Sequence, residues 1–219
     1  MTYVTGDTHG DKTCFLTPAM KKLKKNDTLI ICGDFGFVWD KTKAEQKDLK
    51  WLCKRRYKIA FVEGVHENFE LLSEYPIVDI WNGKARHIGG NVYMLMKGEI
   101  YSIDGQSYMC FGGGVVDDYS DVQDDMKGVG ADEEDVANAR KNLDKCGWRV
   151  DYIITHDITS KLKSFILIQH EHSYLLDTFL DELYTKCRYK KWFFGCYHID
   201  KIITPLVTGV FTKVIALNK

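Results

Sequence analysis

Five short runs of β-branched and aromatic residues, at 2–6, 28–33, 58–64, 151–155 and 191–195, limit the fold more than any other feature of this chain. Their centres are apolar and lack the polar alternation of a half-exposed strand, so they read as strands covered on both faces of a sheet. Helical patterns lie between them. Residues 43–55 follow Thr42, a good N-cap; 132–145 carry acids in the first turn and stop before Gly147. Residues 173–188 place Leu175, Leu176, Phe179, Leu180 and Leu183 at helical spacing, a stripe that reads as core packing. With 219 residues, 45% of them hydrophobic and 28% charged, the chain can bury one large core. One domain over residues 1–219 is expected. No 20–50-residue period repeats, which excludes solenoids and propellers.

The middle of the chain reads differently. Strands at 92–96, 99–103 and 106–111 are broken by Lys97-Gly98 and Asp104-Gly105, both of which look like hairpin turns. Residues 201–207 and 210–217 flank Thr208-Gly209 and predict a further hairpin. Strand–helix alternation joined to meandering strands predicts an α/β chain of two packed sheets with helices outside.

Charge and composition exclude several partners. Thirty Lys and Arg against 31 Asp and Glu give a net charge of −1, which offers no argument for a nucleic-acid or membrane-surface protein. Apolar stretches such as 165–168 fall far short of the ~18 residues of a membrane span. The first seven residues have neither the basic nor the apolar region of a signal peptide. Seven cysteines without a CxxC pair argue against a disulfide scaffold, and the expected setting is the cytoplasm. Nothing here addresses oligomeric state.

Polar residues with chemical potential stand where the apolar runs stop. Asp7 and His9 follow the first run, Asp34 the second, His66 the third, His156 the fourth and His198 the fifth. Strand ends on one edge of a parallel sheet open on a single crevice, so four of the seven histidines and two aspartates are expected to meet there. Alternation along an extended segment would put Asp7 and His9 on one side. Mixed imidazole and carboxylate ligands suit Mn, Fe, Zn or Ni better than Ca or Mg.

The ordered motifs Gly6-Asp7-Thr8-His9, Gly33-Asp34, Gly64-Val65-His66-Glu67, Thr155-His156 and Gly195-Cys196-Tyr197-His198 resemble those of the calcineurin-like metallophosphoesterases. The resemblance implies a four-layer α/β/β/α sandwich of two mixed sheets flanked by helices, with a two-metal site. It implies that Asp7, His9 and His198 hold a first metal, that Asp34 bridges, that His156 holds a second, and that His66 serves the scissile phosphate or its leaving oxygen. Two cations ~3.5–4 Å apart can share a carboxylate and supply a metal-activated hydroxide, and an imidazole can protonate the departing alkoxide.

Two departures fall on the second metal. Val65 stands where the family has Asn, and an aliphatic chain cannot ligate. Cys196 stands where the family has His; a thiolate can ligate Zn or Fe but changes the softness of the site. The expectation is one firmly held metal and a weakened second, supported by His156 and Cys196. The arginines that phosphoprotein-directed relatives carry around the second and third motifs are missing from 34–39 and 61–65. Hydrolysis of phosphodiesters or small phosphomonoesters is therefore the expected reaction. The alternative is a catalytically impaired relative that binds metal, phosphate or a protein partner without turnover.

Other features are assigned bland roles. The acidic stretch 117–135, with nine acids and one Lys, reads as a solvated loop leading into a helix. His170 and His172 read as surface residues. Most aromatics read as core, with Phe37 and Trp39 as candidates for lining the crevice.

Overall fold

The computed structural model describes residues 1–114, 130–166 and 175–217. Most of the acidic stretch, and His170 and His172, lie outside the described residues. The chain runs β1 (Thr2–Thr5), a 3-10 turn (Lys12–Leu16), α1 (Pro18–Lys21), β2 (Thr28–Ile31), α2 (Lys43–Cys53), β3 (Lys58–Phe61) and α3 (Phe69–Ser73). It continues through β4 (Ile77–Ile80), β5 (Gly83–Gly89), β6 (Val92–Leu95), β7 (Ile100–Ile103), β8 (Gln106–Phe111) and α4 (Glu133–Lys145). The last third holds β9 (Tyr152–Thr155), α5 (Ser160–Lys163), α6 (Leu175–Lys186), β10 (Lys191–Phe194), β11 (Lys201–Ile202), β12 (Val207–Gly209) and β13 (Ile215–Ala216). The caps behave as their side chains dictate. Thr42 accepts the Glu45 N–H at the start of α2, and Asp132 and Asp135 form a reciprocal capping box on α4.

Two mixed sheets result. The first has the order β13-β1-β2-β3-β6-β5-β4 and the second β11-β12-β10-β9-β8-β7. Four neighbouring strands in each are parallel: β1, β2, β3 and β6 in one, β12, β10, β9 and β8 in the other. Alternation along each strand divides the core into three. Ile30, Cys32, Ala60, Val62, Tyr108, Cys110, Ile154 and Phe193 fill the space between the sheets. Leu29, Ile31, Ile59 and Phe61 face the other way, against Phe15, Met20, Leu52 and Leu72 of the first helical layer. Met109, Phe111, Ile153, Trp192 and Phe194 meet Val136, Leu143, Phe179 and Leu183 of the second. Three apolar seams between four layers make the α/β/β/α sandwich, and they explain why the central runs are apolar on both faces.

Two connections differ from the sequence expectation. Lys97-Gly98 is not a hairpin turn, because β6 is already paired on one edge with β3 and on the other with β5. The chain there leaves the first sheet and enters the second, where β7 and β8 do form a hairpin through Asp104-Gly105. Thr208-Gly209 is not a turn either. It lies within β12, between β10 and β11, so the following segment crosses back and β13 pairs antiparallel with the open edge of β1. Strands β4 and β5 had no clear alternation and were not expected. No helix among the described residues is long and apolar enough to cross a membrane.

Candidate metal centre

The candidate residues leave the C-terminal ends of parallel strands, but from both sheets and not from one edge. Asp7, Asp34 and His66 follow β1, β2 and β3; His156 and His198 follow β9 and β10. The crevice therefore lies where the two sheets abut. Close packing there explains the glycines. A Cβ on Gly33, whose φ is +104°, would sit 2.1 Å from His156 Nδ1, and one on Gly195 would sit 2.1 Å from Asp7 Oδ1. His9, Asp34, Cys196 and His198 themselves take left-handed φ values of 44°, 44°, 51° and 50°. Non-glycine residues rarely do so, and such strain collects at functional sites. The Asp7–His9 pair is accordingly not extended. The N–H groups of Thr8 and His9 both donate to the Asp34 carbonyl (3.0 and 2.8 Å), and this turn brings His9 over the cluster.

One ligand atom each from Asp7, His9, Asp34 and His198 lies within 4.8 Å of the other three. His9 Nε2 is 2.9 Å from His198 Nε2, His198 Nε2 is 3.1 Å from Asp7 Oδ2, and His9 Nε2 is 3.8 Å from Asp34 Oδ2. Asp7 is buried, and neither of its carboxylate oxygens accepts a hydrogen bond. Acceptors converge here with too few donors, an arrangement that a cation satisfies. Burial, and then the facing Asp34 carboxylate, push the Asp7 pKa up to about 9. Burial also works on Asp34, but His156 and the bonds from His66 outweigh it and hold that carboxyl below its usual value. The donor set thus fits a divalent transition metal.

His156 stands beside this group. Its Nδ1–H donates to the Cys32 carbonyl at 2.9 Å, which leaves a buried, unpartnered Nε2 3.7 Å from Asp34 Oδ1. A histidine whose tautomer is fixed by a backbone carbonyl is prepared to ligate. Cys196 is not among the four clustered residues. Burial, followed by the charges of Asp157, Asp7 and Asp34, pushes its thiol pKa well up. Val65 turns a methyl group toward Gly114, near the His156 ring. Beside the Asp34 carboxylate of the cluster stand one imidazole and a thiol that resists ionisation, and residue 65 supplies no ligand atom. His66 donates to Asp34 twice, through its backbone N–H to Oδ1 (2.7 Å) and through Nδ1 to Oδ2 (2.9 Å). Its ring is exposed on the crevice side, with its centroid 5.7 Å from that of His9.

Sequence reasoning missed the supports of this site. Glu67 is buried and accepts from the N–H groups of Phe35 and Gly36 (2.7 and 3.4 Å), fixing the turn that carries Asp34. Burial pushes its pKa up to about 8. Lys163 is buried between Asp157 and Asp177, at 2.7 and 2.8 Å. Asp157 also accepts from Tyr197 Oη at 2.8 Å, so one polar network joins the His156 loop to the Cys196–His198 loop. Phe211 stacks on the His198 ring with centroids 4.7 Å apart. The Glu after His66 was visible as part of a motif; the lysine and its aspartates gave no signal, because isolated charged residues in loops and helices read as surface.

No curated protein matches the chain. The family model for calcineurin-like phosphoesterase matches residues 2–207, which include every residue of the cluster and every strand before β12. Members of that family are metal-dependent phosphoester hydrolases acting on phosphate esters. The chain therefore belongs to the calcineurin-like phosphoesterase family.

Proposed function

We propose that this chain, as one domain over residues 1–219, hydrolyses phosphodiesters or small phosphomonoesters with one firmly held metal and a weakened second. The observation that carries the reading is the convergence of Asp7, His9, Asp34 and His198, with the Asp7 oxygens buried and unsatisfied. These four would hold the first ion; Asp34, His156 and Cys196 would offer the second position. Bound there, Mn, Fe, Ni or Zn supplies Lewis-acid polarisation of a phosphoryl oxygen and lowers the pKa of a water. The protein's own groups do the rest. Asp34 is oriented by two bonds from His66 and stays ionised at neutral pH, as a shared ligand must. His66 spends Nδ1 on Asp34, so Nε2 of its exposed ring is the atom available to hold the phosphate or protonate the leaving oxygen. Cytoplasmic location is part of this proposal, consistent with seven free thiols.

The test is hydrolysis of a chromogenic phosphodiester by the purified chain with Mn, Fe, Co, Ni or Zn, alongside element analysis of the loaded protein. Slow turnover with about one tightly held ion per chain is expected. Metal uptake without turnover by any of the five would replace this reading with the impaired, binding-only relative. Failure to retain any ion would refute the enzyme reading and leave only a relative that binds phosphate or a protein partner.

A further inference from the structure

A cleft of about 570 Å³ opens beside the metal centre, and His9, His66, Trp39, Asp40, Glu45 and Asp48 are among the residues that line it. Its size suits a small-molecule ligand. Trp39 is 49% exposed, whereas Trp148 and Trp192 are buried in the core. The exposure is not that of a loose loop. The N–H groups of Trp39, Asp40 and Lys41 all donate to the Glu45 carboxylate (2.8, 2.9 and 3.2 Å). The Trp39 carbonyl accepts from Asn68 Nδ2 at 2.6 Å, two residues beyond His66. The backbone that carries the indole is tied at both ends, one end to the strand-end loop that carries His66.

The charges of the cleft are equally committed. Glu45 is spent on the three backbone donors, and Asp48 is paired with Lys12 at 2.7 Å. Among the described residues that line the cleft, none is Lys or Arg. A polyphosphate or other anionic tail would meet carboxylates there, and the ammonium of Lys12 beside Asp48 is already paired. A flat uncharged ring would meet an indole face, and such stacking is tolerant of ring identity.

We infer that this cleft is the subsite for the organic part of the phosphoester, that the part is a planar, uncharged ring of nucleobase size, and that Trp39 determines specificity by stacking on it. The inference rests on the phosphoesterase reading for its substrate. The probes are a thymidine p-nitrophenyl phosphodiester and methyl p-nitrophenyl phosphate, which share a leaving group and differ in the ring. With the Mn-loaded chain, kcat/KM favours the thymidine diester; the ratio falls about tenfold in Trp39→Ala, the size of one base–aromatic stack, and survives in Trp39→Phe. An unchanged ratio in Trp39→Ala, or no preference in the parent, overturns the subsite while leaving the phosphoesterase reading intact. A second readout needs no turnover. Thymidine monophosphate quenches the tryptophan fluorescence of the parent, and the quench is lost in Trp39→Phe. Hydrolysis of neither diester with any of the five metals sinks the enzyme reading, yet the quench still reports the ring site. Absence of quenching overturns it.

Discussion

Replacing Lys163 by methionine removes the ammonium that sits between two buried carboxylates. The side chains of Lys163, Asp157 and Asp177 are 1, 2 and 1% exposed, and both ion pairs are at hydrogen-bonding distance. Methionine preserves most of the lysine stem, so little of the loss comes from packing. Withdrawing one partner from a buried ion pair costs about 3–5 kcal/mol. For a chain of this size each kcal/mol lowers Tm by roughly 2–4 °C, so the expected drop is roughly 6–20 °C. The pH dependence has a definite sign. Burial alone would lower the Lys163 pKa, but Asp157 and Asp177 outweigh it and raise it above the ordinary 10.5. A raised folded pKa means that the stabilisation is full below the ordinary value and is lost only as pH climbs through the folded one. The gap between parent and variant should therefore be constant from about pH 6 to 9. Thermal unfolding followed by near-ultraviolet circular dichroism measures it. Adding Asp177→Asn to Lys163→Met should recover part of the loss by deleting the uncompensated charge. Because Asp157 also holds Tyr197, manganese affinity by calorimetry should fall in the single variant. A Tm within about 2 °C of the parent would refute the reasoning, since a buried cation cannot be that cheap to remove.

Three further outcomes are expected. Burial raises Asp7 to about 9 and Glu67 to about 8, both above their unfolded values, so the metal-free protein should lose stability as pH rises from about 4 through those values. Bound manganese should flatten the Asp7 part of that slope, and Tm measured from pH 5 to 9.5 with and without the ion would show whether it does. Val65→Asn with Cys196→His should raise bound metal from about one ion per chain to about two and increase turnover; a parent that already holds two contradicts the account of the second position. Gly33→Ala forces a Cβ into the His156 ring at a φ of +104°, so it should cost at least ~1–3 kcal/mol in chemical denaturation. Unchanged stability there would mean that the strand-end packing is looser than described.

The local chemistry of the strand ends could be read from the residues, whereas the wiring between sheets could not. The runs that became β1, β2, β3, β9 and β10 are apolar because each is covered on both faces, and that requirement is visible residue by residue. Lys97-Gly98 and Thr208-Gly209 were misread because a turn signal does not say whether the preceding strand still has an open edge. That depends on β5 closing one side of β6 and on β10 and β11 flanking β12. Trp39 was legible as a crevice-lining aromatic and does line the cleft, but the parts played by Glu67 and Lys163 were opaque for the converse reason. A carboxylate and an ammonium take their roles from partners 32 and 14 positions away in the chain.

Sequence alone determined that two carboxylates and four imidazoles would stand at the ends of buried strands, since each follows directly on an apolar run that must be covered on both faces. Tertiary structure decided which of them face one point. Asp7, His9 and Asp34 come from one sheet and His198 from the other, and they converge because the two sheets pack face to face closely enough for His156 to reach the Cys32 carbonyl across the seam.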